Sequence, residues 1–352
     1  MVGATAPFRL PDGRVISRSV AEVGYLRLGD LDQWVMIRGE DIANPVLVLL
    51  HGGPGFPEMQ LFRHFNGNLE KSFTCVYWEQ RGTDKSFDRE IPLESMTVEQ
   101  FLSDLDQLVD TMLKRFGKQK VAIYGHSWGS ILGVLYSARH PEKVSVYVGT
   151  GQIGDWPASE KLCYEFTLAE AERRHTNKAL QELRAMGTPP HNVQTMMRQR
   201  TWFTRWVGIL RGTSLWKAVR IMLRRPESSL FDLPNMLRGT RFSTNAMWDE
   251  VSRLNLHKLA PVLKVPVFFF IGRHDRVVDP RTSMAYFEML DAPQKHWVWF
   301  EDSAHEPAAE EPDKFHALMG SEVRPRAVAA SATLQCEYTS ERASRHSCSA
   351  YG

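Results

Sequence analysis

A chain of 352 residues, 43% of them apolar and 11% aromatic, can fill the core of one large domain with an insertion, or of two domains. Its 43 basic and 41 acidic side chains leave a net charge of +2, which gives no electrostatic case for nucleic acid or a membrane surface as a partner. No run of about 18 apolar residues occurs, and the first residues lack a basic start followed by an apolar core, so neither a spanning helix nor a signal peptide is expected.

The first 40 residues, with Val15-Ile16 and the run 34–37, predict antiparallel edge strands. Short apolar runs at 46–50, 73–78, 121–124, 144–148, 265–271 and 296–300 predict buried parallel strands. A helix is expected over 97–116. Thr97 can cap it, Phe101, Leu105, Leu108, Val109, Met112 and Leu113 recur at helical spacing, and Gly117 ends it. Strands alternating with helices predict an α/β fold with a mostly parallel central sheet flanked by helices.

The alternation stops between 155 and 261, where only helical patterns occur, at 160–174, 178–186, 193–207 and 215–223. A helical insertion between two sheet strands is expected to form a cap over a site. The expected division is a core of 1–154, a cap of 155–261 and a second part of the core over 262–323. The tail 324–352, rich in Ser, Arg and Ala, is expected to be disordered. The basic patch 211–225 reads as a solvated helix face. Cys75, Cys163, Cys336 and Cys348 fit neither a metal site nor a disulfide framework by spacing, and a reduced, cytoplasmic setting is expected. Cys75 reads as a small core residue.

Gly125-His126-Ser127-Trp128-Gly129 follows the strand-like run 121–124 and precedes a helix-compatible stretch. In that context the serine stands on a tight strand-to-helix turn, and the flanking positions need glycine because side chains there would collide. Serine alone is a weak nucleophile and needs a base and a group to orient it. Asp275 follows the strand run 265–271, and His305 follows the run 296–300. They complete the chain order Ser, Asp, His at strand carboxyl ends. Asp279 is the reserve acid, and His274 a weaker contender for the base. The oxyanion needs two N–H donors. One is expected from Trp128 at a helix start, the other from Gly53, or Gly52, in His51-Gly52-Gly53-Pro54-Gly55. Gly149-Thr150-Gly151-Gln152-Ile153-Gly154 matches a dinucleotide fingerprint, but no second parallel strand follows within reach, so it reads as the exit from the sheet.

Together with Trp78-Glu79-Gln80-Arg81-Gly82, Gly272-Arg273-His274-Asp275 and Ser303-Ala304-His305, these motifs resemble an α/β-hydrolase of the proline iminopeptidase group. The likeness spans about residues 46–319. It implies a serine hydrolase that opens an ester or amide through an acyl-enzyme, with no metal or organic cofactor. A small molecule or short peptide is the implied substrate, and release of an N-terminal residue the leading activity. The alternatives are an esterase or lactone hydrolase on a bulky apolar compound, and a hydrolase-fold binding protein with little turnover. Epoxide hydrolase and dehalogenase chemistry usually needs a carboxylate where Ser127 stands.

The chain departs from the family pattern in three ways. Glu79 stands where Asp is frequent, and Thr83-Asp84 where a second glycine is usual; Asp84 tolerates a left-handed backbone better than most residues. The peptidases resembled hold the substrate amine with cap glutamates, one of them in a Trp-Glu pair. Here Trp202, Trp206 and Trp216 have no Glu after them. Glu160, Glu165, Glu170, Glu172 and Glu182 are the acids in that region. Trp202, Trp206 and Glu165 are the candidate substrate contacts.

Overall fold

A computed structural model describes residues 5–207, Ile221, Glu227 and 232–330. One eight-stranded sheet runs in the order β1-β2-β4-β3-β5-β6-β7-β8. Its strands are β1 Val20–Leu28, β2 Leu31–Gly39, β3 Val46–Leu50, β4 Thr74–Trp78, β5 Val121–His126, β6 Val144–Thr150, β7 Val267–Gly272 and β8 Lys295–Phe300. β1 pairs with β2, and β2 with β4, in antiparallel register; every other pairing is parallel.

The inner parallel strands β3 to β7 are buried at every position because both of their faces are covered, whereas β8 at the edge is half-buried. Val46, Val48 and Leu50 of β3 enter one core, and Leu47 and Leu49 enter the other. The first core is filled by α2 (Val98–Phe116) and α3 (Trp128–Arg139). Thr97 caps α2, accepting from the Gln100 N–H at 3.2 Å, and Gly117 ends it at φ 61°. α1 (Met59–Asn66) covers the opposite face.

Two expectations at the chain ends need correction. Val15 forms only an isolated bridge with Arg9, and the edge strand is β1, five residues further on. β1 is buried only at its two ends, Val20 and Leu28, and is half-buried or exposed between them, so it has no apolar run to announce it. Gly29 and Asp30, at φ 51° and 60°, make the tight two-residue hairpin into β2. At the other end, residues 324–330 are helical, not disordered. Met319, Val323 and Ala327 recur at one-turn spacing and are buried in the second core, and Arg324 donates to the Ser72 carbonyl and Asn44 Oδ1, each at 3.1 Å. Residues 331–352, Trp216, and the basic patch and helix expected around 211–225, apart from Ile221, lie outside the described residues.

Between β6 and β7 come α4 (Trp156–Arg173), α5 (Asn177–Met186), α6 (Val193–Val207), α7 (Leu233–Val251) and α8 (Leu256–Leu259). The two ends of this helical segment are joined. Trp156 N–H donates to the Leu254 carbonyl at 3.0 Å, and Leu256 N–H to that of Gly154 at 2.7 Å. Asp155 caps α4 through the Ala158 N–H and accepts from the Asn255 amide at 2.7 Å. No helix among the described residues is long and apolar enough to cross a membrane. Cys75 and Cys163 are buried free thiols.

Candidate active site

Ser127 sits between β5 and α3 at φ 50° and ψ −117°, a conformation that costs a non-glycine residue about 1–3 kcal/mol. The turn is held by the Ser127 N–H to the Thr150 carbonyl and the Ser130 N–H to the Ser127 carbonyl. Its glycines are required by close approach. A Cβ on Gly125 would lie 2.4 Å from the Gly129 carbonyl oxygen, and one on Gly129 2.2 Å from that of Leu50.

Asp275 lies in the turn after β7 and His305 in the loop after β8. Their side chains meet at 2.8 Å, Nδ1 to Oδ2. The other Asp275 oxygen accepts the N–H groups of Val277 and Val278, each at 2.9 Å, which fixes the buried carboxylate. Asp279 is occupied elsewhere, capping α9 (Pro280–Met289) and binding Arg281 and Arg276. His274 is exposed. Beneath the histidine runs the exit from β6. A Cβ on Gly151 would lie 2.7 Å from His305 Cε1, so this glycine of the repeated-glycine motif seats the imidazole.

Ser127, His305 and Gly53 line one cavity of about 380 Å³. Trp128 opens α3, so its N–H belongs to the helix's unpaired first turn. Its ring is buried, donating from Nε1 to Gln80 at 3.0 Å. Gln80 also binds His51 by both its backbone N–H and its side chain, at 3.1 Å each, and ties the Trp-Glu-Gln-Arg-Gly segment to the glycine loop. Asp84 adopts φ 41°, the left-handed backbone expected of it. Gly52 is corrected: its N–H donates to Glu58 Oε2 at 3.0 Å and is not free for an oxyanion.

The three expected substrate contacts are not in the cavity wall. Trp202 packs within α4, α5 and α6 and donates to Glu182 at 2.8 Å. Trp206 packs beside it, with ring centroids 5.6 Å apart. Glu165 is exposed near Lys161. They were chosen by residue type, whereas helical phase decides which side chain faces inward. The wall instead carries Trp156, Met196, Phe203 and Trp248, with the charged Glu160 and Arg200. Arg200 holds Glu160 Oε1, while the buried Oε2 has no partner.

Sequence reasoning also missed Glu58 and Glu306, which line the cavity near Ser127. Their positions carried a signal: Glu306 follows His305 directly, and Glu58 closes the loop after β3. His126 Nδ1 lies 2.9 Å from Glu58 Oε2 and 3.6 Å from Glu306 Oε1. Burial opposes a charge on His126, yet the Glu306 and Glu58 carboxyls and the His305 carbonyl outweigh it and push its pKa up to about 10. Burial also acts to raise Glu58, but the charge and hydrogen bond of His126 win and lower it. Glu306, buried with less help from His126 and facing Glu58, is held well above the usual carboxylate range. Glu58, His126 and Glu306 place ligand-type atoms within 4.8 Å of one another. His126 Nε2 faces the His305 carbonyl, so only Nδ1 points toward both carboxyls.

Residues 45–312 match the model of the alpha/beta hydrolase fold family. The chain belongs to the α/β-hydrolase family. This α/β hydrolase is 34% identical over 310 residues to the probable aminopeptidase YbaC of Bacillus subtilis, a match covering 87% of this chain and 98% of that protein. Proline iminopeptidase of Neisseria gonorrhoeae is 32% identical over 134 residues, 36% of this chain and 39% of that one. The crystal structure of the Mycobacterium smegmatis proline iminopeptidase superposes with a TM-score of 0.64 at 16% identity, covering 88% of this α/β hydrolase and all of that chain.

Proposed function

We propose that this α/β hydrolase is a serine hydrolase that releases an N-terminal residue from a short peptide or aminoacyl amide. One observation carries the reading. The strained serine and the histidine share a cavity, and a fixed buried carboxylate holds the histidine from behind.

In this reaction Ser127 Oγ attacks the substrate carbonyl carbon as His305 Nε2 takes the hydroxyl proton. Asp275 accepts from Nδ1–H throughout, fixing the tautomer and stabilising the imidazolium. The N–H groups of Gly53 and Trp128 receive the oxyanion. His305 then protonates the leaving amine, an acyl-enzyme remains, and water activated by the same histidine releases the acid. The buried Glu160 Oε2 in the wall, which has no partner, favours a substrate bearing an amine. The match to the probable aminopeptidase along nearly its whole length supports the same choice. A second cavity of about 420 Å³ shares Phe56, Met197 and Thr240 with the first and leaves room for the departing group.

The apolar wall of Trp156, Met196, Phe203 and Trp248 favours one second reading, an esterase acting on a bulky neutral compound. Rates on aminoacyl arylamides, including proline, set against N-acylated arylamides and neutral aryl esters decide between the two. Faster turnover with the free amine is expected, and indifference to it selects the esterase. A fluorophosphonate is expected to label the wild type and not Ser127→Ala. Equal labelling of both would overturn the nucleophile.

A further inference from the structure

We infer that Glu58 and His126 form a charged strut that positions the histidine loop: an imidazolium at His126 is clamped between the Glu58 carboxylate and the backbone carbonyl of His305. This inference rests on the serine-hydrolase reading and adds positioning residues to it.

The charge follows from hydrogen bonding. His126 Nδ1 faces Glu58 Oε2 at 2.9 Å and Oε1 at 3.1 Å, and Nε2 faces the His305 carbonyl oxygen at 3.0 Å. A peptide carbonyl can only accept, and Glu58 Oε2 already accepts the Gly52 N–H at 3.0 Å. Nε2 must therefore carry a proton, and Nδ1 carries the second because Glu58, whose pKa is lowered by the charge and hydrogen bond of His126, faces it as the carboxylate. The ring is 2% exposed, so water is no substitute for either partner. The ionisable groups facing it are Glu58, Glu306, His51 and the His305 ring, whose centroid is 4.8 Å away. His51 accepts at Nε2 from Gln80 and donates from Nδ1 to the Gly52 carbonyl, which makes it neutral; burial lowers its pKa. Burial and the facing Glu58 carboxyl hold Glu306 above the usual carboxylate range, while Glu58 is lowered by His126 and is its direct ion-pair partner.

The strut joins three loops from three different strands. Glu58 belongs to the loop after β3 and fixes the Gly52 peptide beside Gly53. His126 ends β5 and precedes Ser127. The His305 carbonyl belongs to the loop after β8. His305 is thereby anchored twice, at its ring by Asp275 and at its backbone by His126. Against the Glu58 carboxylate, a neutral His126 has only one N–H and must give up one of the two contacts. The loop it releases carries either the base or the glycine donors, and a displacement of about 1 Å there costs up to about 100-fold in rate.

The test uses the full chain and Glu58→Gln, which keeps the shape and one acceptor but removes the negative charge. On an aminoacyl arylamide or an aryl ester, kcat is expected to fall by up to about 100-fold with KM within about threefold. The alkaline limb of the kcat profile should move down by about one pH unit or more, because the imidazolium has lost its counter-charge. Loss of packing alone would lower the melting temperature and leave that limb in place. The ring nitrogens are read directly in a nitrogen–proton spectrum of the histidine side chains, with His126→Asn supplying the assignment. Two N–H signals from His126 are expected in the wild type at about pH 8, where an ordinary histidine is neutral. A neutral His126 there, or a Glu58→Gln profile that superposes on the wild type, overturns the strut. Turnover by Ser127→Ala tests the serine-hydrolase reading separately, and the ring signals do not depend on it.

Discussion

Gly151 lies against the ring of His305, with room for no side chain between them: a Cβ there would reach 2.7 Å from Cε1 and 3.0 Å from Nδ1. The backbone at Gly151 also has φ 50°, which an alanine adopts only under strain. Gly151→Ala is expected to lower kcat by about 100-fold with little change in KM. It should also cost about 1 kcal/mol or more in stability. Steady-state kinetics and urea unfolding on the same preparation check both.

Asp275 and Asp279 are four residues apart and are expected to respond in opposite ways. Asp275→Asn leaves the shape of the site and removes the acceptor that fixes the His305 tautomer, so kcat should fall by about 10⁴-fold. Asp279→Asn weakens a helix cap and two arginine contacts. It should leave kcat within a few fold and lower stability by about 1 kcal/mol.

The helical segment gives a specificity test. Phe203 lines the cavity, and Phe203→Ala should raise KM for bulky substrates by about tenfold or more. Trp202, one residue before it, packs away from the cavity. Trp202→Phe should leave KM unchanged and lower the melting temperature, because the Glu182 carboxylate loses its indole donor.

Stability should fall on the alkaline side. His126 binds its proton up to about pH 10 in the folded chain, whereas an unfolded histidine releases it near pH 6.5. Its contribution is thus fully present below about pH 6.5 and is lost as pH rises through about 10. Glu306 and Glu79, both held well above the usual carboxylate range by burial, act in the same direction. Melting temperatures from neutral pH to about 10 should decline in the wild type. The decline should be shallower in Glu58→Gln, whose histidine is closer to its ordinary value. Equal slopes would remove His126 from the account.

The parts of the fold that could be read in the chain are those whose burial is complete. β3 is apolar at every position, and β5 over Val121–Tyr124, because two cores claim them, and glycines mark the turn that Ser127 occupies. Ser127 and Asp275 follow such strands and His305 follows the half-buried edge strand β8, so the chain order alone placed them at one end of the sheet. β1 escaped because only part of one face is buried. The helix at 324–330 escaped because small side chains such as Ala327 carry little hydrophobic signal, although they pack well. Glu58 and Glu306 were overlooked for a different reason. A carboxylate looks like surface until its cation is known, and His126 is 68 positions from Glu58 along the chain. Trp202 and Trp206 were the reverse case, large aromatics whose helical phase turns them toward their own neighbours.

The stem formed by Gly154, Asp155 and Trp156 against Leu254, Asn255 and Leu256 makes the segment between β6 and β7 a side branch of the sheet. Its chain enters and leaves the sheet through this one stem, and α7 also fastens it to the site's loops: Thr240 and Thr244 donate to the Gly55 and Pro54 carbonyls, and Ser243 to that of Gly82. A branch that keeps these three bonds also keeps the glycine loop in place. Grafting the branch from a relative with a different pocket, cut at the stem, should redirect the choice of substrate while the turn at Ser127 keeps its shape.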